Sequence, residues 1–192
     1  MSISLVKGQK IDLTKGNSGL ANVVFGLGWD INKYDGSESF DLDVSAFLTD
    51  NVGKVTQEAD FVFYGQPNHP SGAIIYSGDN QTGVGSGDDE TMIVDLTKIP
   101  SNIEKISFAA TIYDAETRLQ NFGMVNNSYI RAYDANTKEE LFKYELDEDY
   151  SLVTGVVAGE LYRKNGEWKF NAVGSGCNGG LAAIARNFGL NV

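Results

Sequence analysis

Residues 40–49 alternate apolar side chains with mostly polar ones at every second position. This period of two is typical of a β-strand with one face turned toward a hydrophobic core. The apolar face would carry Phe40, Leu42, Val44, Ala46 and Leu48. Asp41 and Asp43 fall on the opposite face, where neighbouring carboxylates repel each other unless a cation lies between them. The segment therefore predicts both a strand and a candidate cation site.

Most of the remaining chain follows the same period. Short apolar or β-branched runs predict strands at 23–27, 61–64, 73–76, 91–96, 106–113, 129–133, 141–146, 153–162 and 168–173. The Asn165-Gly166 pair indicates a tight hairpin, because both turn positions must accept a positive φ. Apolar residues at 181–188, followed by Gly189, predict a helix near the C-terminus. We therefore predict an all-β fold, a two-sheet β-sandwich with few short helices, in a single domain of residues 1–192.

The charge balance narrows the classes of partner. The chain has 15 Lys and Arg against 26 Asp and Glu, a net charge of −11. A nucleic-acid partner is disfavoured, since phosphate binding needs clustered basic side chains. Residues 34–97 hold twelve acidic side chains and one basic side chain, Lys54. The single cysteine, Cys177, excludes an intrachain disulfide. Without a signal-peptide pattern or a long apolar run, we expect a cytoplasmic protein with no transmembrane segment.

A second acidic element spans residues 78–90, with four carboxylates, four glycines and no Lys or Arg. Glycines let the backbone fold tightly, and Asp, Asn and Glu supply hard oxygen donors. Calcium accepts about six to eight oxygens in a forgiving geometry, whereas magnesium requires a stricter octahedron. Zinc is disfavoured, because the one His and the one Cys are far apart in sequence. The spacing is not that of an EF-hand, since Gly83 stands at the fifth position of a loop that begins with Asp79 as the first. These features favour calcium.

Five motifs, in order along the chain, carry a resemblance to a known family. They are Gly-Leu-Gly-Trp-Asp (26–30), Phe-Asp-Leu-Asp (40–43), Gly-Asp-Asn (78–80), Gly-Asp-Asp-Glu (87–90) and Gly-Glu-Leu-Tyr-Arg (159–163). Together they resemble the TerD family of tellurium-resistance and stress-response proteins. The resemblance implies a calcium-binding β-sandwich without an established catalytic activity that acts in bacterial resistance to tellurite and other stresses. It also implies other stress-resistance proteins as partners, at the inner membrane face.

The resemblance further implies one or two calcium ions and a set of metal ligands, carried over by motif position. These candidates are Asp30, Asp41, Asp43, Asp79, Asn80, Asp88, Asp89 and Glu90, with backbone carbonyls near Thr82 and Gly85. The loop departs from the family at Val84 and Ser86, positions that are often acidic in its members. Fewer negative charges predict weaker calcium affinity. If the site holds two ions, the second ion is the one that this loss affects.

Three other features suggest different chemistry, and we interpret each as structural. Residues 174–179 match G-x-G-x-x-G, but no second strand follows to complete a dinucleotide site. A strand-to-helix turn with a packed Cys177 thiol is predicted there. His69 lies in a Pro-Asn-His-Pro loop, where we expect a solvent-exposed side chain and not a catalytic base. Trp29, next to Asp30, is expected in the core and not as the sugar platform of a glycosidase.

The leading hypothesis is a calcium-binding, non-enzymatic module, in which the cation fixes the loop 78–90 against the strand 40–48 and orders a partner surface. One alternative is calcium-dependent docking to anionic membranes, which the shortage of basic residues disfavours. Another is a metal-dependent hydrolase, although no P-loop and no paired base are visible. Direct tellurite chelation ranks last, because one thiol and an anionic surface would trap an oxyanion poorly.

Overall fold

Two antiparallel-rich sheets make up the architecture. The computed structural model describes residues 2–32, 38–78, 80–84, 87–146, 150 and 152–192. The strands within these ranges are β1 (Ile3–Leu5), β2 (Lys10–Asp12), β3 (Asn22–Gly28), β4 (Leu42–Thr49), β5 (Phe61–Val62), β6 (Ile74–Ser77), β7 (Glu90–Asp95), β8 (Lys105–Ile112), β9 (Tyr129–Asp134), β10 (Glu140–Glu145), β11 (Gly155–Lys164) and β12 (Glu167–Cys177). The helices there are α1 (Ala115–Arg118) and α2 (Gly180–Asn187), with 3₁₀ turns at Glu58–Asp60 and Phe122–Met124. The predicted two-sheet β fold with a helix near the C-terminus is confirmed.

The strand order places the acidic loop beside β3. The first sheet runs β1-β10-β9-β3-β7-β6, and the second runs β2-β12-β11-β8-β4-β5. Neighbouring strands are antiparallel except β1 and β10, which pair in parallel. Residues 78–89 connect β6 to β7, and β7 is flanked by β3. The loop therefore leaves the sheet next to the motif at 26–30.

Apolar residues from both sheets form one large buried cluster. Phe25 of the first sheet stacks on Phe108 of the second, with ring centroids 4.1 Å apart. Phe142 stacks in the same way on Phe170, at 4.2 Å. Leu42, like the other alternate positions of β4, points into this cluster, as the period of two predicts. Burial of these rings between the sheets is the main contribution that holds the sandwich closed.

A smaller buried cluster covers the other face of the second sheet. Phe47 of β4 stacks on Phe61 at 4.6 Å and on Phe188, just after α2, at 4.5 Å. Ile184 and Ala185 of α2 pack into the same cluster. The helix therefore covers part of the face that also carries Asp41 and Asp43, and β4 is buried on both sides.

Of two turns predicted from glycine patterns, the hairpin is confirmed and the strand-to-helix turn is shorter than predicted. Asn165 and Gly166 have φ values of 55° and 78° between β11 and β12, as a two-residue hairpin requires. Residues 174–177 still belong to β12, so the turn into α2 is formed by Asn178 and Gly179, the latter with a φ of 90°. Burial raises the pKa of the half-buried Cys177 thiol, so the thiolate is disfavoured there.

Candidate metal site

The acidic loop packs directly against the motif at residues 26–30. A Cβ at Gly26 would lie 2.2 Å from the carboxyl carbon of Asp88, and one at Gly83 would lie 2.6 Å from Nε1 of Trp29. Gly83 also has a φ of +69°, a backbone conformation that would be strained for a residue with a side chain. The loop 78–90 and the motif 26–30, which are far apart in sequence, therefore contact each other directly. Trp29 is buried, as predicted.

Asp88 is held by Arg131, a residue of β9 that no sequence motif marked. Nε of Arg131 donates to Oδ1 of Asp88 at 2.7 Å, and Nη2 donates to Oδ2 at 3.1 Å. The hydroxyl of Tyr129 donates to the same Oδ1 at 3.2 Å. The hydrogen bonds with Asp88 raise the pKa of Arg131. Burial, followed by the charge of Asp88, raises the pKa of Tyr129 to about 12. Both oxygens of this predicted ligand thus meet protein donors.

Asp89 faces a different set of partners. Its Oδ2 accepts the backbone N–H of Trp29 at 3.0 Å, and its Oδ1 accepts Nδ2 of Asn80 at 2.7 Å. Burial raises the pKa of Asp89, and the negative charges of Asp88 and Asp30 act in the same direction. The fold therefore holds this carboxylate close to others of the same sign, where an added cation would relieve the repulsion.

Asn80 shapes the start of the loop. Its Oδ1 accepts the backbone amides of Thr82 and Gly83, at 3.1 Å each, and the Thr82 hydroxyl at 3.1 Å. These bonds close a tight turn of the kind that Asn side chains favour. Asp30, in the motif beside the loop, accepts a hydrogen bond at its Oδ2 from Nδ2 of Asn127 at 2.8 Å. Asp30, Asn80 and Asp89 form one group of predicted ligands.

Glu90, by contrast, is buried between the two sheets. Its Oε2 accepts the backbone N–H of Val44 at 2.6 Å. Its Oε1 accepts the hydroxyl of Tyr76 at 2.5 Å. Both oxygens of this predicted ligand contact groups of the protein interior, in an arrangement that joins the sheets.

Asp41 and Asp43 line a cavity of about 250 Å³. The other lining residues are Tyr64, Gln81, Tyr113 and Arg118. Gln81 belongs to the acidic loop, so residues from two separated acidic segments meet at this cavity. Nη1 of Arg118 lies 3.8 Å from Oδ2 of Asp41, and its Nε lies 3.2 Å from Oε2 of the exposed Glu38.

The ten predicted site residues therefore divide among several places. Asp79 and Gly85 lie outside the described residues. Asp41 and Asp43 share the cavity, Asp30, Asn80 and Asp89 gather under the loop with Thr82 beside them, and Asp88 and Glu90 contact other partners. Within the described ranges, no group of three or more His, Cys, Asp or Glu side chains is arranged to hold a metal ion. Any cation here would need amide or backbone oxygens in addition to carboxylates.

The expectation of an exposed His69 is wrong. This side chain is only 4% exposed, with Nε2 3.0 Å from Oδ1 of Asp60 and Nδ1 2.8 Å from Oγ of Ser71. The backbone N–H of Ser71 also donates to Nδ1, and Oγ of Ser71 accepts the N–H of Ala73. The three polar side chains close a local turn and tie it to the 3₁₀ turn that contains Asp60. Sequence reasoning missed this because Asp60 is nine residues away and carries no motif.

Comparison with known proteins decides the family. The TerD domain model matches residues 1–188. The chain belongs to the TerD family. It is 58% identical over 192 residues to general stress protein 16U of Bacillus subtilis, covering 100% of both chains. It is 46% identical over 191 residues to tellurium resistance protein TerD of Serratia marcescens, covering 100% of this chain and 99% of that one.

A solved structure of a TerD homologue from Streptomyces coelicolor A3(2) has the same fold. The TM-score is 0.72 at 22% identity, with 87% of this chain and 96% of that chain covered. No helix in the described part of the present TerD-family chain is both long and apolar enough to cross a membrane.

Proposed function

We propose that this protein is a calcium-binding, non-enzymatic module of bacterial tellurite and stress resistance. The cation would order the acidic loop, and the ordered loop would present a surface to a protein partner. Relatives named for general stress and for tellurium resistance support the physiological part of this proposal. A further relative, 55% identical over 138 residues, is named chemical-damaging agent resistance protein B.

The meeting of two acidic segments at one cavity carries the calcium part. Asp41 and Asp43 come from β4, and Gln81 comes from the loop between β6 and β7. Both carboxylates are buried, and a cation beside them would offset the repulsion between like charges, in addition to the Arg118 guanidinium 3.8 Å from Asp41. Carboxylate and amide oxygens are the hard donors that calcium prefers, and water or loop carbonyls can complete its coordination. The donor set therefore fits calcium better than a soft metal.

A second cation would be held by the group under the loop. Asp89 and Asp30 supply carboxylates there, and burial together with nearby negative charge already raises the pKa of Asp89. We propose one calcium ion at the cavity, and a second ion of weaker affinity at this group. The weaker affinity follows from protein donors that already engage both oxygens of Asp89.

The partner surface would adjoin the cavity. Tyr64 and Tyr113 line it and are exposed, and Leu119, next to Arg118, is 82% exposed. Leu119 also adopts a left-handed φ of 53°, which is strained for a bulky residue and often marks a functional surface. A cation at Asp41 and Asp43 would act through linkage, because a ligand bound by one conformation shifts the population toward it. Other stress-resistance proteins, at the inner membrane face, are the proposed partners.

Calorimetric titration with calcium tests the cavity assignment. Asp41→Asn and Asp43→Asn should each weaken calcium binding at least tenfold, because each removes a charged ligand. Asp12→Asn is the matched control, since Asp12 lies on β2 and pairs with Lys169. Binding that is as tight in both cavity variants as in the control would defeat the assignment. Co-sedimentation with anionic vesicles, with and without calcium, separates this proposal from membrane docking.

A further inference from the structure

Asp88 lies in a groove on the outer face of the first sheet, where two glycines stand opposite two large side chains. Gly26 of β3 is the register partner of Arg131 of β9, and Gly28 is the partner of Tyr129. A Cβ at Gly26 would reach within 2.2 Å of the Asp88 carboxyl carbon. A Cβ at Gly28 would reach within 2.5 Å of the Tyr129 hydroxyl. The groove thus exists because both positions lack side chains.

Arg131 uses all three guanidinium nitrogens within this groove. Nε and Nη2 donate to the two oxygens of Asp88 at 2.7 and 3.1 Å, and Nη1 donates to Oε2 of Glu140 at 3.0 Å. Two parallel N–H···O bonds fix geometry as well as contribute energy. The single proton of the Tyr129 hydroxyl is shared between Oδ1 of Asp88, at 3.2 Å, and the carbonyl oxygen of Gly87, at 3.0 Å. Together these contacts fasten the residues that directly precede Asp89.

We propose that Arg131 is a positioning residue for the calcium-binding loop, and that its guanidinium takes the place of a metal ion at Asp88. This inference rests on the proposed function. The backbone N–H of Asp89 donates to the carbonyl of Leu27 at 2.8 Å, so docking Asp88 also fixes where the Asp89 side chain begins. Asp88 is then an anchor and not a calcium ligand, although it adjoins Asp89 in an acidic run. The loop already has its binding geometry in the metal-free protein, so less conformational entropy is lost when calcium binds.

A charge-neutral pair of substitutions tests the anchor. Arg131→Gln combined with Asp88→Asn removes the ion pair and leaves the net charge unchanged. In metal-free protein, the amide of Asp89 should exchange with solvent at least tenfold faster than in the wild type. Calcium affinity measured by calorimetry should fall roughly tenfold, the scale expected for a lost charge-assisted hydrogen-bonded pair. Arg163→Gln is the control, because that guanidinium stacks on Trp168 in the second sheet and should leave both quantities unchanged.

Arg131→Gln alone separates an anchor from a ligand. An anchor that has lost its partner weakens calcium binding, as the double variant does. A ligand released from a competing guanidinium would bind calcium more tightly than the wild type, and that result overturns the inference. Unchanged exchange at Asp89 in the double variant overturns it as well. Absence of calcium binding in the wild type would defeat the proposed function, while the metal-free exchange experiment would still decide whether Arg131 docks the loop.

Discussion

Glu90 of the first sheet accepts a hydrogen bond from the backbone amide of Val44 in the second sheet, with 2.6 Å between Oε2 and N. Strand β5 pairs only with Ala46 and Phe47 of β4, so the Val44 amide meets a carboxylate where a neighbouring strand would otherwise continue. Glu90 is 1% exposed. A carboxylate so deeply buried needs donors, and it finds them on both sides of the sandwich.

Replacement of Glu90 by Ala should therefore destabilise the protein by about 3 kcal/mol, because it removes the buried carboxylate that accepts hydrogen bonds from the Val44 amide and the Tyr76 hydroxyl. Urea denaturation measures this loss of unfolding free energy. Tyr76→Phe removes one donor and should cost only about 1 kcal/mol. The two losses should be the same in chelator and in calcium. A Glu90→Ala effect present only in calcium would show that Glu90 is a metal ligand after all.

The residues that local patterns could place are those whose role depends on their own segment. The period of two predicted β4 and the shared face of Asp41 and Asp43, because strand geometry alternates side chains regardless of what lies opposite. The Asn165-Gly166 hairpin was predictable for a similar reason, since its φ values are a local requirement. Short elements such as β2 and α1 were missed, because their stability comes from packing and not from a periodic pattern.

The different contacts of the individual acidic residues could not be predicted in the same way. Asp88 and Asp89 are neighbours with the same side chain, and a motif treats them alike. Arg131 pairs with the first of them and lies 43 residues away, whereas the backbone of Trp29 binds the second. Only the pairing of β3 with β9 brings Arg131 to the loop. The register between distant strands therefore distinguishes Asp88 from Asp89, and this register leaves no signal in the local sequence.

Arg118 lies farther from Asp41 of the cavity, with 3.8 Å between Nη1 and Oδ2, than Arg131 lies from Asp88, at 2.7 Å. Nε of Arg118 lies 3.2 Å from Oε2 of the exposed Glu38, and the guanidinium stacks over Tyr113 at 5.3 Å. This guanidinium should compete with calcium, since both are attracted by the same carboxylates. Arg118→Gln should therefore tighten calcium binding by roughly fivefold, about 1 kcal/mol of Coulomb energy at a partly solvated site.

Calorimetry in low salt measures this change, because salt screens the interaction. Arg186→Gln is the matched control: it alters the net charge equally, but Arg186 lies on α2 and contacts the carbonyl of Val192. Calcium affinity that rises no further in Arg118→Gln than in the control would contradict the competition.

The pH dependence of stability should carry the signature of Asp89. Burial and the nearby charges of Asp88 and Asp30 raise its pKa in the folded protein above the ordinary value of 3.8. The folded state then binds the proton more tightly than the unfolded state. Ionisation of Asp89 therefore lowers stability as the pH rises from about 3.8 through the higher folded pKa. In metal-free protein, the wild type should lose unfolding free energy relative to Asp89→Asn across that window.

Asp12 provides a control of opposite sign, because its hydrogen bond with Lys169 lowers its pKa. The wild type should lose stability relative to Asp12→Asn as the pH falls through the lowered pKa, and keep its advantage above 3.8. Urea denaturation at a series of pH values gives both difference curves. If both difference curves slope the same way, the pKa of Asp89 is not raised in the folded protein. Calcium should reverse the Asp89 slope, since a bound cation stabilises the ionised carboxylate and is released when the proton returns.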